Sequence, residues 1–129
     1  QLNNLFSVDK PFSSNRKEEK KHGDSGSLIG SPLSGEGLIV DDVISSGSSI
    51  EESINIIKKN NAKPISVLVA LDRMELGKKR RAAFELESDN NISVHSIINI
   101  EDVVVYLKKN ESGNDNIKRM EEYLDQFKR

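Results

Sequence analysis

Leu38-Ile39-Val40-Asp41-Asp42-Val43-Ile44-Ser45-Ser46-Gly47-Ser48-Ser49 carries the densest signal in this chain. An apolar run meets two adjacent carboxylates, then a loop of Ser and Gly, then a segment with helical spacing. Leu38 to Val40 read as a strand buried on both faces, the pattern of a parallel sheet inside an α/β layer. After Asp42, hydroxyls and Gly47 let the backbone curl so that successive N–H groups point inward. The helix that follows adds unpaired N–H groups and the positive end of its dipole. Open α/β sheets take ligands at the carboxyl ends of their strands, so this reads as a phosphate cradle with two acids at its rim. Blander readings use the same residues: a strand-to-helix turn with a serine cap, or an acidic pocket of the receiver type.

Downstream, Ser48-Ser49-Ile50-Glu51-Glu52 has hydroxyl caps with Glu three residues on, a capping-box pattern. Ile50, Ile54 and Ile57 then make a helical stripe up to Asn60. Pro64 breaks that connection, and Ile65 to Leu71 reads as a second buried strand. Ala82 to Ser88 is predicted as a short helix, Ile92 to Ile98 as a third strand, and Ile100 to Lys109 as a helix with Glu101 and Asp102 at its positive end. Residues 113–129 hold a final amphipathic helix striped by Ile117, Met120, Leu124 and Phe127. Alternating strands and helices predict an α/β fold with a parallel sheet and right-handed crossovers. Upstream, Pro11 to Asn15 is a short strand leading into Arg16–Ser34, read as one long loop. Loops beyond about 12–15 residues are usually active-site lids or disorder.

The chain has 129 residues, which limits it to one domain. A formal charge of −2 supplies no global field toward nucleic acid or a membrane surface. Cysteine is absent, so neither a disulfide framework nor thiol chemistry is available. No apolar run approaches the roughly 20 residues of a membrane-spanning helix. The N-terminal residues show neither a signal-peptide core nor an Arg-rich presequence, and the expectation is a soluble cytoplasmic protein.

Val40 to Ser48 resembles the phosphoribosyl-diphosphate (PRPP) motif of type I phosphoribosyltransferases. Two further stretches narrow the resemblance. Asn15-Arg16-Lys17-Glu18-Glu19-Lys20-Lys21-His22-Gly23 is similar to the mobile catalytic loop of the orotate phosphoribosyltransferases. Leu71-Asp72-Arg73-Met74-Glu75-Leu76-Gly77 resembles the segment carrying their orotate-contacting arginine. The likeness runs from about Lys10 to the C-terminus, with the three stretches in the family's order and spacing. It implies a Rossmann-like type I core spanning 1–129, with a mobile catalytic loop at 16–34 and the PRPP motif at 38–49. It also implies that the family's first core strands and the hood over orotate lie upstream, making this chain a C-terminal portion.

The resemblance further assigns roles. Asp41 and Asp42 would hold the ribose hydroxyls and the water shell of Mg²⁺, with no direct protein ligand to the metal. Asp41, Asp42, Val43, Ile44, Ser45, Ser46, Gly47, Ser48 and Ser49 would bind PRPP, and Ser45 and Arg73 would contact orotate. Many relatives carry Thr where Ser45 and Ser48 stand; Ser keeps the hydroxyl. In the family the loop enters the neighbouring active site of a homodimer. Arg16, Lys20 and His22 would therefore act in trans, and Lys17 on its own side.

Elementary chemistry agrees with these roles and also offers plainer ones. A charge run is usually a solvated surface, yet cations closing over departing pyrophosphate would stabilise its growing charge. His22 has the pKa range to move protons near neutrality, or it is a loop histidine without a role. Arg73 presents a planar fork suited to a carboxylate and imide oxygens; alternatively it pairs with Asp72 or Glu75. His95, in an apolar stretch, reads as structural, and Lys78-Lys79-Arg80-Arg81 as a solvated turn. The expected activity is transfer of phosphoribosyl from PRPP to orotate, giving orotidine 5′-monophosphate and pyrophosphate in pyrimidine synthesis. The alternatives are transfer to another base, or a PRPP-binding regulator of the same fold.

Overall fold

A computed structural model of the chain describes residues 9–15, 28–110 and 115–126. In chain order its elements are β1 (Ser13–Asn15), β2 (Leu28–Gly30), β3 (Glu36–Ile44), α1 (Ser48–Lys59), β4 (Lys63–Asp72), α2 (Ala82–Asn90), β5 (Ser93–Asn99), α3 (Ile100–Asn110) and α4 (Asp115–Asp125). Strands β3, β4 and β5 form a parallel sheet in that spatial order, with α1 and α2 as the crossovers. The alternation read from the sequence is the architecture observed.

The core follows from the two periodicities. Ile39, Val67 and Val94 stand opposite one another across the three strands, so their side chains share a face. Ile50, Ile54 and Ile57 recur at helical spacing along α1 and are buried, and Ala82 and Leu86 of α2 join them in one cluster with Ile39, Val67 and Val69. Pro64 lies where the β3–β4 register slips between Gly37 and Leu38, a place where the missing N–H costs the ladder little.

The other face departs from expectation. Leu38 is 55% exposed and Val40 is 69% exposed, so β3 is not buried on both sides. Val40, Leu68 and His95 form the row on that face. Both crossover helices feed the cluster on the Ile39 side, which leaves this row uncovered among the described residues. His95 is accordingly exposed rather than packed in a core.

One local difference lies upstream of the parallel sheet. The stretch read as one loop from Arg16 to Ser34 contains β2, which pairs antiparallel with β1 through Ser13–Gly30, Ser14–Ile29 and Asn15–Leu28. Beyond the pairing, the Ser31 N–H donates to the Phe12 carbonyl at 2.9 Å and the Ser13 hydroxyl to the Ser31 carbonyl at 2.7 Å. At Gly30, with φ at +114°, a Cβ would fall 2.3 Å from the Phe12 carbonyl oxygen, so only glycine lets the strands close there.

The two C-terminal helices form where the sequence reading placed them. Val104 of α3 packs with Ile117 and Leu124 of α4 in a second, smaller cluster. Phe127 lies outside the described residues. A reciprocal cap starts α3: the Asp102 N–H donates to the Asn99 side chain at 3.0 Å, and the Asn99 N–H to the Asp102 carboxylate at 2.9 Å. Among the described residues no helix is long and apolar enough to cross a membrane.

Candidate active site at the carboxyl edge of the sheet

Strand β3 runs through Ile44, four residues past the end of the apolar run at Val40. Asp41 and Asp42 therefore sit within the strand, and Asp41 pairs with Val69 on the face that carries α1. That placement brings the Asp41 carboxylate to the start of the helix. One of its oxygens accepts the Asp42 N–H at 2.9 Å and the other accepts the Ser49 hydroxyl at 3.3 Å. The Ser46 and Ser48 hydroxyls lie 3.2 Å apart. Val43 and Ser45 are half-buried and Ile44 fully buried beneath them.

The capping box expected at Ser48–Glu52 does not form. Gly47 is the N-cap of α1, with φ at +82°, and no side chain caps the helix. Asp41 and Ser46 take the hydroxyls that would otherwise have turned onto the backbone. The first turn of α1 thus keeps backbone donors at the positive end of its dipole, the requirement of an anion site. A Cβ at Gly47 would lie 3.2 Å from Leu86 Cδ1, so the curl of this loop is packed directly on α2.

The second part of the site leaves β4. The Arg73 N–H donates to the Ile44 carbonyl at 3.0 Å, which extends the β3–β4 ladder and fixes Arg73 beside the serine loop. The chain then turns sharply. Met74 takes a left-handed φ of +57°, is buried, and donates its N–H to the Asp72 carboxylate at 2.7 Å. A bulky residue in that conformation is held against its preference, a condition that clusters at functional loops.

Arg73 pairs with Glu75, Nη2 to Oε1 at 2.6 Å, as one of the plainer readings anticipated. The same Nη2 donates to the Tyr123 hydroxyl on α4 at 3.2 Å, and that hydroxyl donates to the Glu75 carboxylate. The bond to Glu75 and partial burial push the Tyr123 phenol above its ordinary range, against the opposing pull of Arg73.

The basic turn beyond it is ordered by one acid. The Glu85 carboxylate accepts the N–H of Lys78 at 2.7 Å, of Arg80 at 2.9 Å, and of Lys79. Those backbone donors, Lys78 foremost, hold its carboxyl below the usual range. Lys78 Nζ reaches Glu51 of α1 at 3.1 Å. The run itself is exposed apart from the half-buried Arg81, as a solvated turn requires.

Of the residues singled out in the sequence, the carboxyl edge of the sheet brings together Asp41 to Ser49 and Arg73. Arg16, Lys17, Lys20 and His22 lie outside the described residues. Glu75 was visible only as a possible partner of Arg73, and Tyr123 not at all: it is 50 residues from Arg73 in sequence and carries no local signal. Glu85 likewise looks like any surface acid of a helix. Among the described residues no group of three or more His, Cys, Asp or Glu could cage a metal ion. Asp41 and Asp42 offer hard oxygen donors of the kind Mg²⁺ takes when phosphates and water supply most of its shell.

Comparison with known proteins places this geometry. The family described as "Phosphoribosyl transferase domain" matches residues 5–105. Orotate phosphoribosyltransferase of Hahella chejuensis is 46% identical over 123 residues, covering 95% of this chain and 57% of the relative. The enzyme of that name from Actinobacillus pleuropneumoniae serotype 5b is also 46% identical, over 98% of this chain and 60% of its own length. The crystal structure of orotate phosphoribosyltransferase from Francisella tularensis superposes with a TM-score of 0.74 at 28% identity, covering 97% of this chain and 59% of that one. The chain thus spans somewhat over half the length of the curated relatives it matches. Its parallel sheet, its acid-and-serine loop and the matched residues agree: the chain belongs to the phosphoribosyltransferase family, with the type I fold.

Proposed function

We propose that this chain is the PRPP- and base-binding part of an orotate phosphoribosyltransferase, acting in pyrimidine synthesis. The observation that carries the reading is the shared carboxyl edge, where the uncapped start of α1, the Asp41 carboxylate and Arg73 converge within one hydrogen-bonded ladder. The similarity to named orotate phosphoribosyltransferases supports the choice of base.

In this reading the backbone donors of Ser45 to Ser49 and the α1 dipole bind the 5′-phosphate of PRPP. Asp41 and Asp42 hold the ribose hydroxyls. A nitrogen of orotate attacks the anomeric carbon as the bond to pyrophosphate breaks, and positive charge grows on the ribose ring. The two carboxylates stabilise that charge, while Arg73 orients orotate through its anionic and carbonyl oxygens. Asp41 and Asp42 would hold the water shell of Mg²⁺, which would supply charge neutralisation on the diphosphate. Arg16, Lys20 and His22, contributed across a homodimer, and Lys17 from its own subunit cover the leaving group. The compartment we infer is the cytoplasm.

The test uses the full-length protein. Orotate should be consumed only with PRPP and Mg²⁺, giving orotidine 5′-monophosphate. Calorimetric titration of Mg²⁺·PRPP should show saturable binding that the Asp41→Asn, Asp42→Asn variant loses. Turnover of a different base in preference to orotate would shift the assignment to that base. PRPP binding without turnover of any base would favour a regulatory protein.

A further inference from the structure

The guanidinium of Arg73 is held in a closed ring of one ion pair and two hydrogen bonds, and one member of the ring comes from helix α4. Nη2 donates to the Tyr123 hydroxyl at 3.2 Å and forms an ion pair with Glu75 Oε1 at 2.6 Å. The Tyr123 hydroxyl gives its own proton to Glu75. Glu75 Oε1 meets both the Arg73 guanidinium and the Tyr123 hydroxyl, so the three groups restrain one another's rotamers. The Nε and Nη1 groups of Arg73 have no hydrogen-bond partner among the described residues, so donors on either side of Nη2 remain for a ligand.

Glu75 is the more enclosed partner, its side chain 17% exposed against 45% for Arg73. Its own position is set by the loop. The Glu75 carbonyl accepts the Ala82 N–H at 3.0 Å, while buried Met74 is turned under it at positive φ. Tyr123 is fixed separately, on a helix whose Ile117 and Leu124 are buried against α3. Two rigid and independent supports therefore meet at one cation. An exposed arginine normally pays rotamer entropy whenever it binds a ligand; here that entropy is removed in advance.

We propose that Glu75 and Tyr123 are positioning residues for base recognition: they pre-set the Arg73 fork for a planar anionic acceptor, and through Tyr123 the C-terminal helix α4 tunes affinity for the base. This rests on the reading of Arg73 as the base contact. Glu75 also tempers the charge of Arg73, so the pair favours a ligand matched to the open donors over an arbitrary anion. The raised proton affinity of Tyr123 fits a hydroxyl that remains a donor to Glu75 throughout the neutral range.

The experiment compares Tyr123→Phe, Glu75→Gln, Glu75→Ala and Arg73→Ala in the full-length protein, with KM for orotate, KM for PRPP, kcat and Tm read for each. Tyr123→Phe should raise KM for orotate about 5- to 10-fold, the scale of one ordinary hydrogen bond. KM for PRPP and Tm should stay near wild type. Glu75→Ala should act in the same direction and more strongly, and Glu75→Gln, which keeps an acceptor, should recover part of the loss. The proposal is overturned if Arg73→Ala raises KM for orotate while Tyr123→Phe leaves it unchanged. It is equally overturned if Tyr123→Phe shifts both substrates alike in step with a fall in Tm, the mark of a merely structural tie. An Arg73→Ala variant with wild-type KM for orotate would remove the base-contact reading itself, and this proposal with it.

Discussion

The Ser49 hydroxyl donates to the Asp41 carboxylate at 3.3 Å, joining the first turn of a helix to the acid of the strand before it. The bond spends the hydroxyl on the acid instead of on the backbone, and so it both orients Asp41 and leaves the helix start uncapped. Ser49→Ala should weaken Mg²⁺·PRPP binding about 3- to 10-fold, in keeping with roughly 1 kcal/mol for a hydrogen bond. Asp41→Asn should weaken it considerably more. Isothermal titration of the two variants gives the order, and equal effects would separate Ser49 from the acid's role.

Gly47 should not tolerate a side chain. With φ at +82° and Leu86 Cδ1 at 3.2 Å from a built Cβ, Gly47→Ala meets both backbone strain and a crowded neighbour. The left-handed conformation alone costs about 1–2 kcal/mol for a non-glycine residue. Urea denaturation should show a loss of at least that size with the slope unchanged.

Lys20 tests the role proposed for the charged run. If it covers departing pyrophosphate, Lys20→Ala in the full-length protein should lower kcat far more than it raises KM for PRPP, because the interaction strengthens as the leaving group gains charge. Equal effects on both parameters would make it an ordinary binding residue.

Glu85 gives a pH signature. Its folded pKa lies below the ordinary glutamate value of 4.5 because backbone N–H groups of Lys78, Arg80 and Lys79 favour the anion. A depressed folded pKa adds stability above the unfolded value, and that stability is lost as pH falls through the folded one. Wild-type Tm should therefore decline on acidification from about pH 4.5 downward, and Glu85→Gln should show a shallower decline.

Most of the fold was legible because periodicity reports burial. The Ile50, Ile54, Ile57 stripe and the strand around Ile39 both lead to the observed core. The same logic misjudged Leu38 and Val40, since an apolar run states what a strand can bury and not what is present to bury it. Local rules also misplaced the cap. Ser48 and Ser49 fit a capping box, but a carboxylate eight residues upstream competed for Ser49 and won. The ring around Arg73 was beyond sequence reading for a related reason: its members meet only after α4 docks.

The adjacency of β3 and β4 has an evolutionary corollary. In the proposed reading the sugar-phosphate loop leaves one strand and the base-contacting Arg73 leaves its neighbour, and the Arg73 N–H bond to the Ile44 carbonyl extends the ladder between them. Selection can therefore act on the two modules separately. On that reading, changes within residues 73–81 would alter the choice of base and leave the loop at Asp41 to Ser49 untouched.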